Sequence, residues 1–300
     1  MSQRQVGPAT QADQTREPDV RTPLIPVSVN WHVWPRCNYT CTFCYDQFKG
    51  AVRTLTKEVA LTIPALLRAA GAEKLTLAGG EPTLCPHLME LLRTSKEAGL
   101  TTMVVTNGTR ITPEFLAKAA HYTDWIAGSG DSGIEATETE LGRGTGHHLE
   151  TVVNAARLVR AHGIRLKVNT VVTSLSWQED MHQLLRGMGP ERWKVFQVHL
   201  IRGENDEAYR RLRISPEEFE AFLRRHADLS PVGETEEDMR GSYLMLDPLG
   251  RFFQNFDGAY AYSDSILDVS VAHALGQVGW DEGKFLTRGG LYYWNRPGGE

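Results

Sequence analysis

From Leu24 onward the apolar positions alternate between two periods. Short stretches repeat every second residue, as strands do, and longer ones every three to four, as helices do. The pattern predicts strands at 26–33, 73–78, 101–106, 124–129, 165–172 and 192–200, and helices at 56–70, 86–98, 112–121, 148–162, 178–187 and 215–228. Gly71, Gly99 and Gly163 each follow a helical run and precede a strand, where left-handed helix stops are expected. Six strand–helix units in series imply an α/β fold with a parallel sheet and crossover helices. A partial six-unit barrel is favoured over an open doubly wound sheet, and either puts function at the C-terminal ends of the strands. Residues 240–300 break the alternation. A hairpin is expected there, 242–247 with 251–255, turning at Asp247-Pro248-Leu249-Gly250, then a short helix near 268–276 and a Gly-rich tail. The expected organisation is a disordered lead at 1–23, a barrel at 24–230 and a C-terminal extension at 231–300.

The strands carry an unexpected polarity. Parallel strands are usually apolar on both faces, and several of these are not. The first sets Ser28, Asn30 and His32 against Val27, Val29, Trp31 and Val33. The second sets Lys74, Thr76 and Ala78 against Leu75 and Leu77; the fifth sets Arg165, Lys167 and Asn169 against Leu166, Val168 and Thr170. The sixth sets Arg192 and Lys194 against Trp193 and Val195. If the apolar sides pack on helices, the polar sides face inward. An unpaired buried cation costs several kcal/mol, so an anion belongs inside. Lys74, Lys167, Arg192 and Lys194 suit a polyphosphate; the plainer reading lets those at strand starts reach solvent.

Composition narrows the setting. The chain has 300 residues, a formal net charge of −5 and a pI near 6.1, so it is no generally basic coat for nucleic acid. No signal peptide, amphipathic membrane helix or 18-residue apolar run is visible. Of four cysteines, Cys85 stands alone and reads as a small core residue, so a disulfide framework is not expected and a reducing cytoplasm is.

The other three form one run, Cys37-Asn38-Tyr39-Thr40-Cys41-Thr42-Phe43-Cys44. Structural zinc wants four N or S ligands, usually as two separated pairs, and no second pair exists; His32 lies at an uncommon spacing. Three thiolates this close suit three corners of a [4Fe–4S] cube, leaving one iron for a small molecule. The run resembles the radical S-adenosylmethionine (SAM) enzymes, whose open iron takes the amino-acid end of SAM. Ala78-Gly79-Gly80-Glu81-Pro82 then looks like the site for the SAM ammonium, with Gly79 and Gly80 allowing close approach and Glu81 accepting hydrogen bonds. Asn107 after the third strand could bond ribose hydroxyls, Ser129 after the fourth could touch SAM, and Arg143 between glycines suits a carboxylate. Asp131 reads as structural, and Tyr45 could lie against adenine.

Later segments make the resemblance more specific. Ser28-Val29-Asn30, Arg192-Trp193-Lys194-Val195-Phe196-Gln197, Ser242-Tyr243-Leu244-Met245-Leu246-Asp247, Ser265-Ile266-Leu267-Asp268-Val269 and Arg288-Gly289-Gly290 occur in order, and together they resemble viperin and its prokaryotic relatives. The resemblance implies a radical SAM dehydratase that converts a ribonucleoside triphosphate to its 3′-deoxy-3′,4′-didehydro form, an antiviral chain terminator. CTP is the first choice, with GTP and UTP open. It implies a triphosphate pocket of Lys74, Lys167, Asn169, Arg192 and Lys194, with Asn30 and Asn107 facing substrate. Tyr243 would lie near the sugar as a late hydrogen source, the extension would close the nucleotide site, and a flavodoxin or ferredoxin would donate electrons. Three departures stand out. Ala78 replaces the family's serine; Ala259 and Tyr260 stand where relatives carry basic residues, so that Arg288 could supply the missing phosphate contact; and the membrane helix of animal relatives is missing. A radical SAM enzyme acting on a peptide or small metabolite is the alternative. A non-catalytic nucleotide or redox sensor is a further one.

Overall fold

The computed structural model describes residues 26–45 and 53–294. Among the described residues ten strands form one sheet: β1 (Ser28–Trp34), β2 (Lys74–Gly79), β3 (Thr101–Thr106), β4 (Trp125–Ser129), β5 (Arg165–Val172), β6 (Arg192–Gln197), β7 (Val232–Glu234), β8 (Leu244–Leu246), β9 (Arg251–Gln254) and β10 (Ala261–Ser265). Their order is β10-β9-β8-β1-β2-β3-β4-β5-β6-β7. The run from β1 to β7 is parallel throughout, as a partial barrel with crossover helices requires. The expected hairpin forms as β8 and β9, but β8 pairs parallel to β1, Asn30 opposite Met245. The extension therefore continues the sheet at both edges, through β7 on one side and β8–β10 on the other. The expected lead at 1–23 lies outside the described residues.

Side-chain parity sorts the sheet into two faces. Along β5 exposure alternates strictly, with Leu166, Val168, Thr170 and Val172 buried and the residues between them less so. Val29, Trp31, Leu75 and Leu77 join Ile63, Leu67, Leu91 and Leu275 of the surrounding helices in one core. Val168, Trp193 and Val195 join Val152, Val159, Phe219 and Phe222 in a second. Each Leu or Phe so buried contributes about 1.5–3 kcal/mol. Cys85 lies in the first core, as its isolation suggested. The inner face keeps the polar set.

Several elements end where local chemistry dictates. The 56–70 helix is split into Lys57–Ala60 and Ile63–Ala69, because Pro64 has no N–H to continue the ladder. The 178–187 helix starts only at His182, because Glu179 instead accepts hydrogen bonds from Ser132, Gly133 and Thr137. Pro216–Arg225 begins with a full capping box between Ser215 and Glu218.

One joint fixes the sheet to the cysteine loop. Gly79 has φ +136°, and a Cβ there would stand 2.4 Å from the Trp34 carbonyl oxygen. A Cβ on Gly80 would stand 2.5 Å from that of Arg36. The two strands approach so closely because Gly80 N–H donates to Trp34 O (2.7 Å) and Glu81 N–H to Arg36 O (2.8 Å). Gly79→Ala is accordingly expected to cost about 1–3 kcal/mol, read as a lower urea midpoint with an unchanged slope; an unshifted midpoint would refute this account of the joint.

Candidate active site

A cavity of about 680 Å³ fills the barrel, within the range of ligand sites. Cys37, Cys41, Cys44, Tyr45, Gly79, Gly80, Glu81, Asn107, Ser129 and Arg143 line it where β1–β4 end. Asn30, Lys74, Lys167, Asn169, Lys194, Tyr243 and Arg288 line it deeper in. Arg192 is the one expected residue outside the lining; it donates to Gly289 O at 2.9 Å and stacks on Tyr292, which are part of it.

The cysteine loop is held on two sides. Thr42 N–H donates to Leu141 O (2.9 Å) and Thr40 N–H to Gly142 O (3.3 Å), opposite the joint at Gly80. Gly142 is required because a Cβ there would meet Thr40 O at 2.4 Å. Cys37 is exposed, while Cys41 and Cys44 are half-buried. Burial pushes the Cys37 and Cys41 thiols up, and Arg143 pulls against that rise. Tyr39 N–H and the Asn107 amide point at the Cys37 sulfur, 3.4 and 3.9 Å away. Among the described residues the three sulfurs do not gather within 4.8 Å of one another. Tetrahedral zinc would hold its sulfurs about 3.8 Å apart at Zn–S of about 2.3 Å. Three thiols on one short loop lining the cavity, with Cys85 buried apart in the core, fit an iron–sulfur cluster with three protein ligands.

The rim residues are busier than the sequence suggested. Glu81 was expected to receive an ammonium, yet its Oε1 accepts from Thr83 N–H (3.0 Å) and the Thr106 hydroxyl (2.9 Å), and Oε2 from Asn107 N–H (2.8 Å). It staples the loops after β2 and β3. Asn107 was expected to reach ribose; its amide donates to Asn38 Oδ1 (2.8 Å) and its carbonyl accepts from Thr109 N–H and Oγ1. Arg143 was expected to meet a carboxylate, and it does, but the carboxylate is Asp131, at 2.5 Å. Asp131 is structural as read, since it also accepts from Val171 N–H at 2.7 Å. Beside it, burial and then Asp131 push Glu138 up to about 8.

The deep end is a cluster of cations. Lys74 donates to the Tyr292 hydroxyl at 2.6 Å. Burial first, then Lys194, Arg192 and Arg288, bring Lys74 down to about 7. Burial and the neighbouring Lys194 and Lys74 depress Lys167 strongly, and no hydrogen-bond or ion-pair partner for it occurs among the described residues. Asn169 Oδ1, Arg192 Nε and Arg288 Nε are buried without partners there. Arg165, by contrast, follows the plainer reading: it stacks on Trp125 and pairs with Glu191 at 2.8 Å, away from the cavity. Sequence reasoning missed Glu234, a wholly buried carboxylate that pairs with Lys194 and Arg288. Its three-residue strand has no periodicity to betray it.

The comparisons agree with this geometry. The model of the radical SAM superfamily matches residues 31–186. An S-adenosylmethionine-dependent nucleotide dehydratase of Flammeovirga pacifica is 41% identical over 281 residues, 90% of this chain and 97% of that protein. One from a Thermoplasmatales archaeon is 36% identical, covering 89% of this chain and 96% of that one. One from Danio rerio is 38% identical, covering 90% and 79%. Among solved structures, Streptococcus suis SuiB bound to precursor peptide SuiA has a TM-score of 0.65 at 14% identity, covering 87% of this chain and 66% of that one. anSMEcpe with bound AdoMet has a TM-score of 0.63 at 15% identity, covering 83% and 80%.

The buried lysines set a pH dependence. Lys74, at about 7, and Lys194, held to about 8 by burial against the pull of Glu234, would titrate near 10.4 in the unfolded chain. Between the two values the unfolded chain binds more protons, so stability rises with pH across that window. Lys74→Met is therefore expected to raise the ligand-free melting temperature at pH 7 by a few degrees, about 2–4 °C per kcal/mol at this chain size, and the gain should vanish toward pH 10. A variant that melts lower at pH 7 would contradict this electrostatic picture.

Proposed function

This chain belongs to the radical SAM superfamily and, within it, to the S-adenosylmethionine-dependent nucleotide dehydratases, and from that premise we propose its substrate, its residue roles and its electron source. It uses a [4Fe–4S] cluster and SAM. The substrate we propose is a ribonucleoside triphosphate, CTP first, and the product its 3′-deoxy-3′,4′-didehydro form. The cationic deep end carries this reading: among the described residues Lys74, Lys167, Arg192, Lys194 and Arg288 cluster around one buried carboxylate, Glu234, with Asp238 acting on Arg288 alone, so cations outnumber acids and a polyanion would balance them. A peptide or small uncharged metabolite would leave that charge bare.

In this reading Cys37, Cys41 and Cys44 hold the cluster, and Tyr45, Gly79, Gly80, Glu81, Asn107, Ser129 and Arg143 shape the SAM side of the cavity. Glu81, Asn107 and Arg143 act there largely by fixing the loops that carry the cysteines. When bound, the cluster and SAM supply hydrogen-atom abstraction from carbon. The protein supplies alignment. The lysines and arginines grip the triphosphate, Asn30 and Asn169 offer amides to the nucleotide, and Tyr243 stands near the sugar. Loss of the 3′ hydroxyl as water then takes up one proton and one electron. A lysine that regains its charge beside the phosphates strengthens the grip as the ligand enters.

The test is an anaerobic assay of reconstituted protein with SAM and each of the four NTPs. 5′-Deoxyadenosine release should rise several-fold with at least one NTP, with CTP strongest, and a dehydrated nucleotide should accompany it. Release indifferent to every NTP would end the proposal.

The electron enters most easily beside Cys37, the exposed cysteine. Three loops surround it, 36–45, 107–112 and 141–148; they contain no Asp or Glu, and their exposed basic side chains are Arg36, Arg110 and His147, Arg143 being paired with Asp131 and His148 buried. The Asn38 amide donates to Thr109 Oγ1 at 3.0 Å, which brings exposed Arg110 to the side of the cysteine loop. Residues 46–52 add one Asp and one Lys to the sequence. On a chain of net charge −5 this rim suits an acidic one-electron carrier such as a flavodoxin or ferredoxin. The thiols and the carrier both belong to a reducing cytoplasm; no described helix is long and apolar enough to cross a membrane. Arg36→Glu with Arg110→Glu should slow turnover about tenfold with flavodoxin at low salt while leaving turnover with dithionite unchanged. Equal losses with both reductants, or none with flavodoxin, would exclude this docking face.

A further inference from the structure

Glu234 poses an electrostatic puzzle. It closes β7, opposite Phe196 of β6, and is fully buried. A carboxylate there repels the polyphosphate that the surrounding cations attract, and it also holds Lys194 charged against burial; these two effects on affinity oppose each other. Its contacts show another use. Oε1 pairs with Lys194 and accepts from Arg288 Nη1 at 3.0 Å, while Oε2 accepts from the Tyr243 hydroxyl. The Arg288 guanidinium lies 3.6 Å from the centre of the Tyr243 ring. One carboxylate thus sets the direction of a phenol and of two cations that all line the cavity. Burial opposes its charge, but Lys194 and Arg288 prevail and keep it ionised, and burial keeps the phenol protonated. The donor and acceptor roles along this network are therefore fixed.

We infer that Glu234 is a positioning residue of the reaction, acting through Tyr243, Lys194 and Arg288 to set where the phenol and the clamp stand relative to the bound nucleotide. The inference rests on the nucleotide reading above. It requires coupling to fall when the charge is removed, with no loss of affinity alongside. Glu234→Gln keeps the shape and can still bond the phenol, but it releases two like-charged cations and removes a repulsion felt by the phosphates.

The test combines calorimetry with product analysis. Glu234→Gln should bind the NTP as tightly as the wild type or up to about tenfold more tightly. Dehydrated nucleotide formed per 5′-deoxyadenosine should fall at least several-fold. Tyr243→Phe should lower the same ratio, and the double variant should be no worse than the worse single one, because residues acting as a unit are not additive. Glu234→Asp, which keeps the charge, should restore part of the ratio and guards against a variant that merely folds badly. Weakened NTP binding by Glu234→Gln, or a wild-type ratio, would overturn the inference. If the wild type dehydrates no NTP, the functional reading falls by itself, and NTP affinity in Glu234→Gln still decides whether the carboxylate opposes the anion.

Discussion

Everything in this molecule is arranged around cations held inside a barrel. Lys74, Lys167 and Lys194 project from the face of the sheet that a parallel fold would ordinarily cover with apolar residues. Their burial costs stability, as their depressed proton affinities state directly. The two apolar cores on the other face must offset that cost, and Trp31, Trp193, Phe219 and Phe222 are large, buried and placed behind the charged strands. The fold therefore tolerates a strongly cationic interior that the cores behind it must offset.

The other end of the cavity is built on the opposite logic. At the rim the charged and polar groups are already satisfied by one another: Glu81 by Thr83, Thr106 and Asn107, and Arg143 by Asp131. Those bonds join the ends of β2 and β3 to the cysteine loop and fix it before any cofactor arrives. A cluster ligated by three residues within one short loop needs that stiffness, because the loop alone has little secondary structure to hold it. One end is thus held mostly by completed hydrogen bonds, while at the other Asn169 Oδ1, Arg192 Nε and Arg288 Nε have no partner among the described residues.

The parts legible in the sequence were those governed by period and spacing. The two-residue repeat in Arg165-Leu166-Lys167-Val168-Asn169 says which side chains share a face, and the spacing of the cysteine run pointed to the family and its cofactor. What stayed hidden depends on partners far apart in the chain. Nothing near Glu234 announces that Lys194, forty residues earlier, and Arg288, fifty-four later, converge on it. Asp131 could be suspected of a structural role, but its pairing with Arg143 could not be seen, so Arg143 looked free for a ligand. For Glu81 and Asn107 the sequence likewise showed the place, at the rim of the cavity, but not the bonds they make to neighbouring loops. The strands β7 and β10 escaped because three residues, or a polar five, carry no readable alternation. The break at Pro64 was visible in principle, since proline cannot donate within a helix.

The extension makes the two logics meet. Its strands complete both edges of the sheet, so it is part of the barrel wall and not a cap laid over it. From that position it contributes the acid Glu234, the phenol Tyr243 and the cation Arg288 to one network on Lys194 of the barrel proper. Tyr292, farther along, takes the hydrogen bond of Lys74. The same segment therefore closes the wall and neutralises part of the buried charge. A ligand that displaced the Tyr292 hydroxyl from Lys74 would exchange a neutral acceptor for an anionic one, a stronger bond to the same ammonium. Binding there would also let Lys74, now depressed by burial and its cationic neighbours, hold its proton more firmly, which couples the ligand to the wall that Tyr292 belongs to.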